Sequence, residues 1–173
     1  MGKDLMLDVG QANELKLAFR RADFSVVEHV IDCDADPFNP WEKGGWTVEE
    51  HQKGGTFTWD ASQVELYLAS GQMNGKVIEG NRLRKELTEK STPVLNANVL
   101  DYLLANPHLI PEEWEKDGQG NTRYIFFWGT VYRDCNGCFG VRCLYWDDGG
   151  WRWSDFWLDD GWDNGNPAAV RAS

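Results

Sequence analysis

The chain has 173 residues and a net charge of −11, with 28 Asp and Glu residues against 17 Lys and Arg residues. This length fits one domain that can bury a core without help from a disulfide or a metal. The negative charge opposes nucleic-acid binding, because affinity for the phosphate backbone depends on Lys and Arg side chains that displace counterions. There is no apolar run of about 18 residues and no basic leader before an apolar segment, so neither membrane insertion nor a secretory signal is predicted.

The first two thirds of the chain are predicted to contain helices and short strands. Apolar residues spaced three and four apart favour a helix over 11–22, and β-branched residues favour a strand over 24–32. Asp60 is predicted to cap a helix that runs to Ser70, because Gln63 occupies the capping-box position. The remaining predicted elements here are strands at 46–48 and 56–59 and helices over 81–90, 98–105 and 111–115.

The last third has the pattern of an antiparallel β-meander. Three runs rich in aromatic and β-branched residues, 124–133, 139–146 and 151–158, are separated by two short turns that contain Asp and Gly. Residues 168–171 are predicted to add a closing strand. Helices followed by a meander indicate an α+β fold rather than alternating βαβ units.

Tryptophans recur along the predicted meander. Six of the ten tryptophans stand at or after position 128, and short tracts of Asp, Asn, Gly and Ser separate most of them. Such interleaving is typical of a binding surface, because Trp offers rigid contact area at low entropy cost whereas small polar residues adapt to a ligand. Large aromatic side chains are also often buried, so a tryptophan core beneath exposed turns is the alternative interpretation.

The segments Phe126–Arg133, Val141–Trp146 and Pro167–Ser173 resemble the end of the variable proteins that diversity-generating retroelements diversify. Weaker similarity covers 29–38 and 93–102. The resemblance implies a C-type-lectin-like fold that displays a replaceable ligand-binding surface. The Gly-Gly-Ser-Trp signature common in this family is absent and is only approximated by Gly149-Gly150-Trp151, which leaves the strand register to be determined.

The resemblance also implies which residues form the site. In this family a reverse transcriptase copies a template repeat with errors at adenines, and the Trp codon contains no adenine. Tryptophans are therefore expected to stay fixed while other positions vary within a region of about 134–171. The predicted scaffold of the site is Trp146, Trp151, Trp153, Trp157 and Trp162. The predicted replaceable, ligand-contacting positions are Cys135, Asn136, Cys138, Phe139, Cys143, Asp147, Asp148, Arg152, Ser154, Asp155, Phe156, Asp159, Asp160, Asp163, Asn164 and Asn166.

The resulting expectation is a helical lead-in over 1–25 followed by a lectin-like domain over 26–173. The expected function is binding of a protein or cell-surface ligand, with no nucleic-acid partner, no membrane insertion and no cofactor. Enzymatic activity is not predicted, because His29, His51 and His108 are scattered and have no Ser or Cys nucleophile motif beside them. The sequence indicates neither the ligand nor the compartment, although a virion or cell surface would suit this function.

Two other classes of function stay open as alternatives. Cys135 and Cys138 share a predicted turn near Cys143, and Cys33 or a histidine would complete four ligands for zinc. The diversified-surface interpretation instead treats these cysteines as incidental outcomes at replaceable positions. The other class is a structural subunit of a virion or surface assembly, which would associate with itself through the aromatic residues. A calcium-dependent module is a further metal alternative, with candidate ligands at Asp159, Asp160 and Asp163.

Overall fold

A curled, largely antiparallel sheet of seven strands is the centre of the computed structural model, which describes residues 27–172. The predicted helix over 11–22, the lead-in over 1–25 and the start of the predicted strand over 24–32 lie outside the described residues. The described chain has a mixed α+β fold, as predicted. Its strands are β1 (Val30–Asp32), β2 (Thr47–His51), β3 (Thr56–Thr58), β4 (Val64–Tyr67), β5 (Ile78–Glu79), β6 (Ile125–Phe126), β7 (Thr130–Arg133), β8 (Phe139–Asp147), β9 (Gly150–Trp157), β10 (Gly161–Trp162) and β11 (Ala168–Arg171).

Two α-helices within the described residues match the predicted ones to within one residue at each end. They are α1 (Gly80–Glu89) and α2 (Ala97–Ala105). The third predicted helix is instead a single 3-10 turn at Glu112–Trp114, since the chain beyond it forms a β-bridge between Lys116 and Thr122. Neither described helix is long and apolar enough to cross a membrane.

Strand β8 organises the main sheet by pairing along both of its edges. One edge pairs antiparallel with β7 and then with β6, and the other edge pairs antiparallel with β9. Beyond β6 lies β11, which is parallel to β6 and antiparallel to β4, while β2 pairs with the outer edge of β7. The predicted meander and its closing strand are therefore confirmed, and β11 is inserted inside the sheet rather than added at its edge.

The predicted single strand over 124–133 is wrong, because the chain breaks between β6 and β7. At the break the amide of Phe127 still donates to the carbonyl of Arg142, whereas the amide of Gly129 donates to Leu95. A Cβ at Gly129 would lie only 2.8 Å from the Cβ of Asn96, so a side chain there would collide with the start of α2. Close approach to this helix bends the chain away from β8.

The predicted helix from Asp60 to Ser70 is also wrong. The Asp60 carboxylate does cap a turn, accepting from the amide of Ser62 at 2.9 Å, but the turn is a single 3-10 turn. The chain then extends as β4, in register with β11 from Val64 opposite Arg171. Pairing with a strand about a hundred residues away overrides the local capping signal, as tertiary context often overrides helix propensity.

The sheet divides the core into two clusters. On one side α2 contributes Val99, Leu100 and Leu103, which are buried with Leu144 of β8. On the other side α1 contributes the predicted inward-facing leucines, Leu83 and Leu87, to a cluster that includes Val141, Trp128 and Trp162. The two faces of β8 therefore pack against different helices.

Candidate ligand-binding face of the β8–β9 hairpin

The β8–β9 hairpin carries most of the predicted site residues, and its register is unbroken from Gly140 opposite Trp157 to Asp147 opposite Gly150. The connecting turn places Asp148 and Gly149 at φ values of 46° and 76°. Two central residues with positive φ define a type I′ turn, whose twist matches that of paired strands. Without a bulge, successive side chains alternate strictly between the two faces of the hairpin.

One face of the hairpin, the tryptophan face, is a network of aromatic rings. Trp153 makes an edge-to-face contact with Trp41, with 5.4 Å between ring centroids, and Trp157 lies 5.0 Å from Trp46. Trp41 and Trp46 stack on each other at 4.4 Å, which closes the network. The side chains of this face come from Arg142, Leu144, Trp146, Trp151, Trp153, Asp155 and Trp157.

Trp41 and Trp46 were not among the predicted site residues. They belong to the loop that precedes β2, about a hundred residues before the hairpin. Four residues lie between them, and the last two of these are glycines. Their sole sequence signal is that two tryptophans bracket a short Gly-containing turn. Only the tertiary fold brings them onto β9.

Arg142 lies at the base of the tryptophan face and is only 1% exposed. Its guanidinium donates to both carboxylate oxygens of Asp101 on α2, at 2.7 and 3.1 Å, which is the bidentate geometry of a strong ion pair. The guanidinium also lies 4.7 Å from the ring centre of Trp153. The pair ties α2 to the hairpin, although the sequence marks Arg142 only as a lone charge within an apolar strand.

The opposite face of the hairpin, the tyrosine face, carries smaller and more varied side chains. Tyr124, which precedes β6, stacks on Tyr145 with 5.1 Å between ring centroids and lies 5.6 Å from Phe156. Ser154 and Phe156 are half-buried, and Arg152 is exposed. The tyrosine face consists of Phe139, Val141, Cys143, Tyr145, Arg152, Ser154 and Phe156.

Exposed turns surround the tyrosine face and hold most of the other predicted replaceable positions. The turn before β8 is organised by Asp134, whose carboxylate accepts from the amides of Asn136 and Cys138. After β9, Asp159 accepts from the side-chain amide of Asn81 at 2.8 Å. The exposed predicted positions in turns are Cys135, Asn136, Asp147, Asp148, Asp159, Asp160, Asp163 and Asn164, and Cys138 is half-buried.

Three predicted site residues lie inside the protein and are out of reach of a ligand. Trp162 is completely buried, and its indole N–H donates to the carbonyl of Trp157 at 3.3 Å. Asn166 is buried and accepts from the amide of Asp163, which shapes the last turn. Cys143 is completely buried on β8. Trp162 supports the tyrosine face from below through its contact with Phe156, whereas Cys143 is a buried member of that face.

The cysteines occupy different environments. Cys33 and Cys143 are buried, Cys135 is exposed and Cys138 is half-buried. Burial raises the pKa of the Cys143 thiol well above its usual value, whereas zinc binds the deprotonated thiolate. Across residues 27–172, no three His, Cys, Asp or Glu side chains are grouped so that they could hold a metal ion.

Two of the three histidines, His29 and His51, form hydrogen bonds within the fold. The ring of His51 bonds to the hydroxyl of Thr130 and to the carbonyl of Cys33, which links β2, β7 and the end of β1. His29 bonds to the hydroxyl of Tyr102 at 3.0 Å. The structure also brings the rings of His29 and His108 to 6.1 Å, a proximity that their separation in the sequence did not indicate.

Asp155 is the one predicted replaceable residue on the tryptophan face. It is half-buried between Trp153 and Trp157 and stands directly opposite Arg142. Burial raises the pKa of the Asp155 carboxyl, and the positive charge of Arg142 opposes this shift without cancelling it. Folding therefore favours the protonated carboxyl, and the charged form at neutral pH weakens the folded state.

The Asp155→Asn variant is expected to have a higher melting temperature than the parent at pH 7, because the amide removes a charge that burial disfavours. The destabilisation develops as the pH rises through the raised pKa. It is nearly absent where Asp is protonated in both folded and unfolded chains, at or below about pH 3. Thermal melts at pH 7 and about pH 3 test this, with Asp160→Asn at an exposed position as control. A lower melting temperature for Asp155→Asn at pH 7 would contradict the prediction.

Fold and site together define an α+β protein whose C-terminal hairpin separates a tryptophan face from a face of varied side chains, and both faces are partly exposed. No protein-family model, curated protein or solved structure matches the chain. Any function assigned to this protein must therefore follow from the side chains of the two faces.

Proposed function

We propose that this chain is a ligand-binding display protein of C-type-lectin-like fold, one of the variable proteins diversified by retroelements. The observation that carries the proposal is the division of the β8–β9 hairpin into two faces. Four of the five tryptophans expected to stay fixed are on the tryptophan face, and the fifth, Trp162, is buried. On β9 the replaceable positions other than Asp155 project from the opposite, tyrosine face.

This division has a physical advantage for a protein that must accept many sequences at one surface. Each replaceable side chain of a strand can change without altering the fixed side chains before and after it, because the two sets project in opposite directions. Stability then depends on the tryptophan network and on the Arg142–Asp101 pair, which contain few replaceable residues. The exposed turns have little packing to lose when their residues change.

The chemistry of the tyrosine face and its surrounding turns suits recognition of a protein surface. Phe156 and Tyr145 are partly exposed aromatic side chains held in place by Tyr124, and such rigid anchors concentrate binding energy. The surrounding turns carry mainly Asp and Asn residues. Their negative charge favours a ligand with a basic surface and speeds its encounter. This function requires binding alone, without a catalytic group or cofactor.

Sequencing the DNA around the 3′ end of the gene tests the proposal. A near-copy of the segment that encodes about residues 134–171 is expected, together with a neighbouring reverse-transcriptase gene. The two copies should differ almost only where the template copy has adenine, and the changed codons should fall on the tyrosine face and its turns, with Asp155 as the exception on the hairpin. Absence of the repeat, or differences spread evenly over all four bases, would overturn the proposal.

A further inference from the structure

A groove of about 530 Å³ opens beside the tip of the β8–β9 hairpin, at the end of the tryptophan face. Leu104 and Ile110 contribute apolar side chains to its lining, and Trp146 and Trp151 contribute aromatic rings. Its ionisable lining consists of two carboxylates and one imidazole. The carboxylates are Glu112 of the Glu112–Trp114 turn and Glu115, the residue after it, and the imidazole is His108, whose ring contacts that of His29. Aromatic rings and carboxylates therefore share one concave surface.

The two rings and the two carboxylates are available to a ligand. Trp146 and Trp151 stand directly opposite each other on β8 and β9, with ring planes at 71°, and both are only half-buried. Glu112 is exposed and Glu115 is half-buried. Among the described residues, neither carboxylate forms a salt bridge or a side-chain hydrogen bond.

The neighbouring cations are already engaged elsewhere. Lys116 donates to the hydroxyl of Thr122 at 2.7 Å, and Arg123 donates to the backbone carbonyl of Glu113 at 2.6 Å. Arg152, at the hairpin tip, faces Asp147 at 3.4 Å. None of these three cations lines the groove or forms a salt bridge with Glu112 or Glu115.

We propose that this groove binds the side chain of an arginine on a protein partner. A guanidinium is planar, so it can stack on an indole ring while donating two N–H groups to a carboxylate. The groove presents both complements, and the net charge of −11 attracts a basic partner. The four groups that would contact the guanidinium are outside the predicted replaceable set, since Glu112 and Glu115 precede residue 134 and Trp146 and Trp151 are tryptophans expected to stay fixed. This inference therefore does not depend on the proposed function.

Titration of the full chain with the peptide acetyl-Gly-Arg-Gly-amide, followed by NMR of ¹⁵N-labelled indole groups, tests the inference. The indole signals of Trp146 and Trp151, assigned with Trp146→Phe and Trp151→Phe variants, should shift and saturate. The same peptide with citrulline has nearly the same shape but no charge. Its affinity should be lower by about tenfold or more, because it loses the charge-assisted bonds. The peptide with lysine should bind several-fold more weakly than the arginine peptide, because an ammonium group cannot stack or bind bidentately.

Matched variants separate the groove from the general acidity of the protein. The double variant Glu112→Gln/Glu115→Gln should lose about tenfold in affinity for the arginine peptide. Glu113→Gln should retain the affinity, since Glu113 belongs to the same turn but does not line the groove. Equal affinity for the citrulline or lysine peptide, an equal loss in Glu113→Gln, or no shift of the two indoles would overturn the inference. None of these outcomes affects the DNA test of the proposed function.

Discussion

Replacing Asp101 with asparagine is expected to lower the free energy of unfolding by about 3 kcal/mol, because it leaves the buried guanidinium of Arg142 without its counter-charge. Removing one member of a buried ion pair costs about 3–5 kcal/mol, and the lower end applies because the Asp101 side chain is 29% exposed. Urea denaturation at neutral pH measures this loss. The substitution should also disturb the Trp153 ring, which lies 4.7 Å from the guanidinium.

The matched control removes the cation instead. Arg142→Met eliminates the buried charge together with the need for a partner, so it should destabilise the fold less than Asp101→Asn. In the double variant, the Asp101 change should then have little additional effect, which a double-mutant cycle quantifies. A loss below about 0.5 kcal/mol in Asp101→Asn would show that the pair does not secure α2 to the hairpin.

Removal of the Trp162 ring is the second change with a large expected effect. Trp162→Ala should lower the free energy of unfolding by about 3–5 kcal/mol, because it leaves a cavity under the tyrosine face. The Trp162 ring is completely buried and lies 4.1 Å from Phe126 and 5.6 Å from Phe156, measured between ring centroids. At Gly80, a Cβ would come within 2.5 Å of the Trp162 indole nitrogen, so the packing around the ring is tight.

The control for Trp162→Ala is a substitution at a replaceable position of the tyrosine face, with the free energy of unfolding of both variants measured by urea denaturation. Arg152→Ser should change the free energy of unfolding by no more than about 0.5 kcal/mol, since Arg152 is exposed and its ion pair with Asp147 lies at the surface. The contrast between the two variants measures the difference between fixed and replaceable residues. Similar losses in both would remove the physical basis for that distinction.

Elements specified by local signals were predicted correctly from the sequence. Helices α1 and α2 follow from apolar residues at helical spacing, and their buried leucines are the expected ones. The β8–β9 turn follows from Asp148 and Gly149, which tolerate the positive φ that a type I′ turn requires. The strict alternation of β9, which separates the tryptophans from Arg152, Ser154 and Phe156, is likewise readable from residue order alone.

Features that depend on residues far apart in the chain could not be predicted. The capping signal at Asp60 is real, but pairing of β4 with β11 decides the structure after one turn. The break between β6 and β7 follows from the close approach of Gly129 to Asn96. Likewise, the predicted strand over 139–146 includes Cys143, but its burial follows from the pairing of β8 along both edges and from the packing on its face.

The α+β class, the two helices, the hairpin and the spacing of the tryptophans could be predicted because each depends on residues within a few positions of one another. Long-range packing instead places Trp41 and Trp46 on the tryptophan face and pairs Asp101 with Arg142. It also brings Glu112 and Glu115 into one groove with Trp146 and Trp151. These contacts join segments separated by 30 to 110 residues or so, and such distant pairings are set by packing of the whole chain rather than by local propensity.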